Sequence, residues 1–253
     1  TAQNKTYDGN RTATATLNDD RVAGDVLTTS FTLAQFDNKN AGTGKQVDVT
    51  GINLTGTDAG NYTFNTTTTT SANITARALT IGATGQNKTY DGGVGATVTL
   101  GDDRVSGDVL TTSYTLAEFN NKNVGTTKPI SVTGIGLTGT DSGNYTFNTT
   151  AGASADITAR PITVTAQTDS RVYDGTAGSA VTPIVAVGSV AVGDTGAFSQ
   201  SFDTRNVGSG KTLTPAGAVA DGNSGANYAI TYVTNTNGAL TPAPLTLAGE
   251  RPN

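Results

Sequence analysis

The chain has 253 residues, a net charge of −5, and no Cys, His, Met or Trp. That composition excludes disulfides and thiolate metal sites and removes the commonest general base. The lack of any Lys/Arg cluster argues against a nucleic-acid surface, and no apolar run reaches membrane-spanning length, so no membrane insertion is expected.

Apolar residues make up 35% and aromatics 6%, so each core is thin and built from Val, Ile, Leu and a few Tyr and Phe. Thr is abundant and suits strands, because its branched Cβ packs on a pleated surface.

In chain order the first signal is Lys5-Thr6-Tyr7-Asp8-Gly9. It returns as Lys88-Thr89-Tyr90-Asp91-Gly92 and, altered, as Arg171-Val172-Tyr173-Asp174-Gly175. The tyrosines are 90 − 7 = 83 and 173 − 90 = 83 residues apart. A fixed period of that size marks tandem copies of one domain. Phe36, Phe119 and Phe202 keep the period, as do Asn40, Asn123 and Asn206, and Lys45, Lys128 and Lys211. Asn-Tyr pairs ending at Tyr62, Tyr145 and Tyr228 do the same. The Gly-Asp steps at Asp25 and Asp108 reappear at Asp194, shifted by three residues that are lost again before Phe202. Surface loops tolerate such compensated changes. The expected repeats are 1–77, 78–160 and 161–243, with 244–253 opening a fourth.

Within the second copy, Leu79-Thr80-Ile81 alternates apolar with polar, and Tyr90-Asp91-Gly92 reads as a turn in which Gly takes positive φ. Ala96–Leu100 alternates again, Gly101-Asp102-Asp103 reads as a loop, and Val109–Leu116 is a Thr-rich strand. Phe119 anchors the turn that follows. Ile130–Val132 and Ile135–Leu137 alternate out of phase across Thr133-Gly134, which predicts a β-bulge. Tyr145–Phe147 and Ala155–Ile157 complete the strands, and no stretch sustains a 3.6-residue period.

About seven short strands per copy indicate an all-β fold of three tandem, small, antiparallel β-sandwiches in an elongated array. The Asp-x-Gly-x-Tyr-x-apolar runs Asp58–Phe64 and Asp141–Phe147 resemble the immunoglobulin corner, whose Tyr hydroxyl bonds back to its loop. The third copy keeps Tyr228 but has Ser224 and Ala226 in place of Asp and Gly. A β-grasp-like repeat with one short helix is the alternative fold. The joints Ile74–Leu79, Ile157–Ile162 and Leu240–Leu245 leave few residues between copies, so the linkers are expected to be stiff.

The first copy lacks counterparts of Ala78–Ala83, whereas Pro244–Gly249 repeats that stretch at the other end. The expectation is a slice of a longer array, with a first strand missing from copy one and a loosely held tail. An open strand edge then invites lateral pairing.

Lys-Thr-Tyr-Asp-Gly, Asn-Lys-Asn-x-Gly-Thr (Asn38–Thr43, Asn121–Thr126), Gly-Asn-Tyr and Ile-Thr-Ala-Arg together resemble the YDG repeats of large, filamentous-haemagglutinin-like bacterial surface proteins. The resemblance is strong in the first two copies and weaker in the third. It implies a secreted, non-enzymatic stalk at the surface of a Gram-negative cell, holding an adhesive region outward as a monomeric rod. The alternative is that the repeats themselves bind host or bacterial cell-surface glycans or proteins.

Each candidate site has a structural reading beside its functional one. Tyr7-Asp8-Gly9, Tyr90-Asp91-Gly92 and Tyr173-Asp174-Gly175 read as turns whose Tyr packs on its own domain, and Tyr62, Tyr145 and Tyr228 as structural corners. Arg171 in the third copy leaves Tyr-Asp-Gly as the shared core of the motif. Gly208–Thr212 looks like a phosphate loop but has Arg205 where the leading Gly belongs. Asp19-Asp20 and Asp102-Asp103, with Asp25 and Asp108, offer oxygens to Ca²⁺ but read as solvated loop charges. No cofactor is expected. A Lys–Asn crosslink, for example Lys45 to Asn40, is the remote alternative to a hydrogen-bonded turn. Asn-x-Thr triplets such as Asn4–Thr6 are formal sugar acceptors.

Overall fold

A computed structural model describes residues 1–249. The fold is all-β, and each of the three repeats carries a curled, half-barrel sheet. Among the described residues there is no α-helix, so the short helix of a β-grasp unit is absent. Single 3₁₀ turns occur at Ala59–Asn61 and Ser142–Asn144. Among the described residues no helix is long and apolar enough to cross a membrane.

In repeat 1 the main sheet runs Lys5–Thr6, Thr67–Thr75, Gly42–Thr50, Leu33–Phe36. Its first pair is parallel, Lys5 opposite Ile74, and the other pairs are antiparallel. Alternation sends Phe36, Val47, Val49, Ala72 and Ile74 to one buried face. The order recurs in repeat 2 as Lys88–Thr89, Thr150–Thr158, Gly125–Thr133, Leu116–Phe119. In repeat 3 it is Ser170–Val172, Asn235–Thr241, Gly208–Ala220, Thr195–Phe202. There Ala166, Phe202, Leu213 and Leu240 form a core cluster.

The expected antiparallel sandwich needs correction. The strand bearing the Tyr-Asp-Gly lead-in is parallel to its neighbour in every repeat. A second parallel pair joins Arg77–Leu79 to Tyr145–Phe147, and another joins Arg160–Thr165 to Tyr228–Val233. Parallel strands need crossovers, and here the rest of the repeat supplies them.

The expected bulge at Thr133-Gly134 is a change of sheet. The chain leaves the four-stranded sheet after Thr133, turns at Gly134 (φ 67°), and pairs Gly136–Thr138 with Thr111–Ser113. A Cβ on Gly134 would lie 1.6 Å from Thr115 Oγ1, so the turn requires glycine. Gly51 repeats the arrangement against Thr32.

By compactness the chain divides into two units. One holds Thr1–Thr84, Val98–Ala117 and Ser131–Ala153; the other holds Gly85–Thr97, Glu118–Ile130 and the chain from Ser154 onward. The division cuts through repeat 2, so each unit contains one complete joint between successive repeats. At the end of the chain, residues 242–249 are exposed and belong to no strand. Residues 250–253, the remainder of the expected fourth repeat, lie outside the described residues.

Candidate functional site

The Tyr-Asp-Gly motif divides its labour. Lys5 Nζ bonds Asp8 Oδ1 at 2.8 Å, the Asn10 carbonyl at 2.9 Å and the Thr12 carbonyl at 3.0 Å, while lying 5.5 Å from the Phe36 ring centroid. Lys88 makes the same set with Asp91, Gly93, Gly95 and Phe119. Arg171 takes over with Asp174, Thr176, Gly178 and Phe202. The cation before the turn is therefore kept in role, and only its identity changes. The Asp closes the turn by accepting the backbone N–H two residues on, at Asn10, Gly93 and Thr176. The Thr176 amide and hydroxyl, with Arg171, bring the Asp174 carboxyl down to about 2.

The tyrosine does not stay within its own repeat. Tyr7 is 1% exposed, and its hydroxyl donates to both oxygens of Asp108, at 2.9 and 2.8 Å, in repeat 2. Tyr145 donates to Asp108 Oδ2 at 2.6 Å and accepts from the Val105 N–H at 2.9 Å. Lys39 of repeat 1 bonds Asp108 Oδ1 and Asp141 Oδ1, both at 2.8 Å. The Tyr7 and Tyr145 rings meet edge to face, with centroids 5.4 Å apart. Beside them Asn144 Oδ1 accepts the Ala41 N–H at 2.8 Å, and its amide donates to Asn40 Oδ1 at 3.3 Å.

The second unit builds the same joint between repeats 2 and 3. Tyr90 and Tyr228 both donate to Asp194 Oδ2, at 2.8 and 2.7 Å, and Lys122 bonds Asp194 Oδ1 at 3.0 Å. The rings again meet edge to face at 5.5 Å. Asn227 accepts the Val124 N–H at 2.9 Å and donates to Asn123. Ser224 replaces the second carboxylate, and Asp221 instead accepts the backbone N–H groups of Asn223, Gly225 and Asn227. The Asp-x-Gly corner is thus rebuilt from a different carboxylate.

Electrostatics explain why the pattern holds. Burial opposes a charge on Asp108, yet the bonds from Lys39, Tyr145 and Tyr7 outweigh it and hold the carboxyl below the usual range. Asp194 is lowered against the same burial, by Tyr228, Lys122 and Tyr90. Lys39 is raised by Asp108, Asp141 and Tyr7. Burial and the Asp108 bond push Tyr145 up to about 12, and Tyr228 also rises to about 12, from burial and Asp194. A desolvated carboxylate with three donors has its partners satisfied.

Several expectations change here. Asp108, expected as a solvated loop charge, is a buried acceptor, and Asp194 is its counterpart; their side chains are 2% and 1% exposed. The Lys39 ammonium pairs with Asp108, one of the carboxylates weighed for Ca²⁺, and with Asp141. Asp19 and Asp102 pair with Arg21 and Arg104 instead. Lys45 bonds Asn38 and Asp37, not Asn40, and Lys128 bonds Asn121. Tyr62, Tyr145 and Tyr228 do act as corners, binding the Val22, Val105 and Ala191 amides upstream. Tyr173 is the exception among the motif tyrosines. It is half-exposed, and its hydroxyl finds no partner among the described residues.

Lys39 and Lys122 carried a signal in the sequence, since both sit in Asn-Lys-Asn at the common period. Their pairing with the Gly-Asp step was hidden, because the partners are 69 and 72 residues apart.

No curated protein and no solved structure matches the chain. Residues 1–70, 75–152 and 158–236 each match the YDG domain. The tyrosine that joins one repeat to the next is the one in the motif for which the domain is named, and the chain belongs to the YDG domain family as three tandem copies.

Proposed function

We propose that the chain is a non-enzymatic stalk segment of a secreted bacterial surface adhesin, extending an adhesive region from the cell. The observation that carries this reading is the joint itself. The signature tyrosine of repeats 1 and 2 is spent on the repeat that follows, through Tyr7 on Asp108 and Tyr90 on Asp194. A residue devoted to fixing a neighbour is what a load-bearing series of small domains requires, because such arrays are stabilised by nearest-neighbour contacts. Cys is absent from the chain, which suits export of an unfolded chain without premature disulfides.

Small-angle scattering tests the reading. A stalk gives a maximum dimension on the order of 100 Å, taking ~3.4 Å rise per strand residue over three domains. A compact particle of globular radius overturns it.

A further inference from the structure

Each repeat buries a lysine behind the same turn. Lys45, Lys128 and Lys211 keep the common period, and so do the pairs they face, Asp37-Asn38, Asn120-Asn121 and Asp203-Thr204. The Lys45 and Lys211 side chains are 9% and 8% exposed, and Lys128 is buried too. Strand pairing fixes the turn in repeat 1: Phe36 stands opposite Val47, and the Asp37 N–H donates to the Gln46 carbonyl at 3.0 Å.

In repeat 1 the side-chain contacts close a ring. Lys45 Nζ donates to Asn38 Oδ1 at 2.8 Å and to Asp37 Oδ1 at 2.8 Å. Asn38 Nδ2 donates to Asp37 Oδ2 at 3.1 Å. One carboxylate therefore touches both the amine nitrogen and the amide nitrogen, while the amine touches the amide oxygen. The backbone N–H of Asn40 donates to that same oxygen at 3.0 Å. A fixed donor there stabilises the negative charge that develops when a nucleophile adds to the amide carbon.

The other two repeats each lack one member of the ring. In repeat 2, Lys128 bonds Asn121 Oδ1 at 2.7 Å, and the Asn123 N–H donates to the same oxygen at 3.0 Å, but Asn120 stands where the carboxylate would be. In repeat 3, Lys211 keeps a carboxylate, Asp203 Oδ1 at 3.1 Å, but Thr204 Oγ1 takes the place of the amide, at 2.7 Å. Nucleophile, amide and proton carrier come together in repeat 1 alone.

We propose that Lys45 and Asn38 condense to an isopeptide bond, with Asp37 carrying the protons. Asp37 takes a proton from the Lys45 ammonium, and the free amine adds to Asn38 Cγ, which moves the carbonyl electron pair onto Oδ1. Asp37 passes its proton to Nδ2 and accepts the second proton released by Nζ. The Cγ–Nδ2 bond then breaks, the carbonyl reforms, and ammonia leaves with the proton that Asp37 last held. Nothing is oxidised or reduced, and Asp37 returns to its carboxylate. Holding the reacting groups in contact supplies much of the rate, because the step becomes unimolecular. Asp37 is 46% exposed, so the ammonia has a way out. The bond would tie the turn after Phe36 covalently to the following strand. The proposal does not depend on the stalk reading, and either can fail without the other.

Intact mass and a tryptic map of the full chain test it. The wild type is expected to weigh one ammonia less than its sequence. Trypsin should not cut after Lys45, so the peptide Gln46–Arg77 should not appear free. An ammonia lost by ring closure at an asparagine would leave Lys45 open to trypsin, which separates the two chemistries. Lys45→Arg and Asp37→Asn should each restore the full mass; Asp37→Asn puts into repeat 1 the residue that repeat 2 already carries there. Asn120→Asp completes the ring in repeat 2 and should cost a second ammonia, with protection of Lys128. This gain cannot come from misfolding. Four results overturn the proposal: a wild type of full mass, an ammonia loss with Lys45 still cleaved, a cross-link that survives Asp37→Asn, or no second loss in Asn120→Asp.

Discussion

Replacing each motif tyrosine by phenylalanine separates a joint from a local packing role. Tyr7→Phe and Tyr90→Phe keep the buried ring and its edge-to-face contact and remove only the hydroxyl. Each lost hydroxyl donates to an ionised, desolvated carboxylate at about 2.8 Å. Hydrogen bonds to charged groups contribute about 1.5–3 kcal/mol. Asp108 keeps Tyr145 and Lys39, and Asp194 keeps Tyr228 and Lys122, so the lower half of that range applies, about 1.5–2 kcal/mol. For a chain of this size that is a fall of about 3–8 °C in Tm. Tyr173→Phe is the built-in control: the same motif and the same change, without a partner, should stay within about 0.5 kcal/mol. The assay is thermal and denaturant unfolding followed by circular dichroism, at concentrations low enough to keep chains apart. Three equal effects would refute the reasoning, because a tyrosine that merely packs in its own repeat responds alike at all three positions.

The turn glycines allow a parallel comparison. Gly9 (φ 81°) and Gly175 (φ 85°) share the left-handed backbone, but only at Gly9 would a Cβ meet the next repeat, 2.7 Å from Val105 Cγ1. Gly9→Ala should cost about 1–3 kcal/mol more than Gly175→Ala by overpacking, read from denaturant midpoints. Asn148→Ala should cost about 1–3 kcal/mol, because the Ile81 amide loses its acceptor. Asn65→Ala should cost clearly less, since among the described residues the Asn65 amide donates only to the Thr67 carbonyl. The pH profile has two edges. Asp108 and Asp194 are lowered in the fold, so their contribution is complete above the ordinary Asp value of about 3.9 and is lost as pH falls through the lowered values. Tyr145 and Tyr228 are raised to about 12, so their contribution is complete below about 10, the ordinary Tyr value, and is lost as pH rises towards 12. Melting temperature should be flat between the edges, with the alkaline fall tracking the tyrosinate absorption band; a fall centred near neutral pH would contradict this.

The repeat was legible because its period is a property of the chain alone, and so were the corners, since Tyr145 and its loop fall within one copy. Strand direction was not. Alternation reports which face a residue takes and says nothing about whether its neighbour runs parallel, so Lys88–Thr89 against Ile157-Thr158 was invisible. The joint was half legible. Tyr7, Lys39 and the Gly-Asp step all keep the period, but a strictly periodic residue can serve its own repeat or the next with the same spacing. The 101 residues between Tyr7 and Asp108 reduce to 18 once a whole period is removed (108 − 83 − 7 = 18), so the sequence offered the wrong, local partner, Asp25, as readily as the right one.

The most direct test of the account is a double-mutant cycle between Tyr7→Phe and Asp108→Asn, two residues in different copies of the repeat. If the motif tyrosine joins one repeat to the next, the cycle gives a coupling of about 1 kcal/mol or more. If the two effects add to within about 0.3–0.5 kcal/mol, the joint does not hold the repeats together and the account fails.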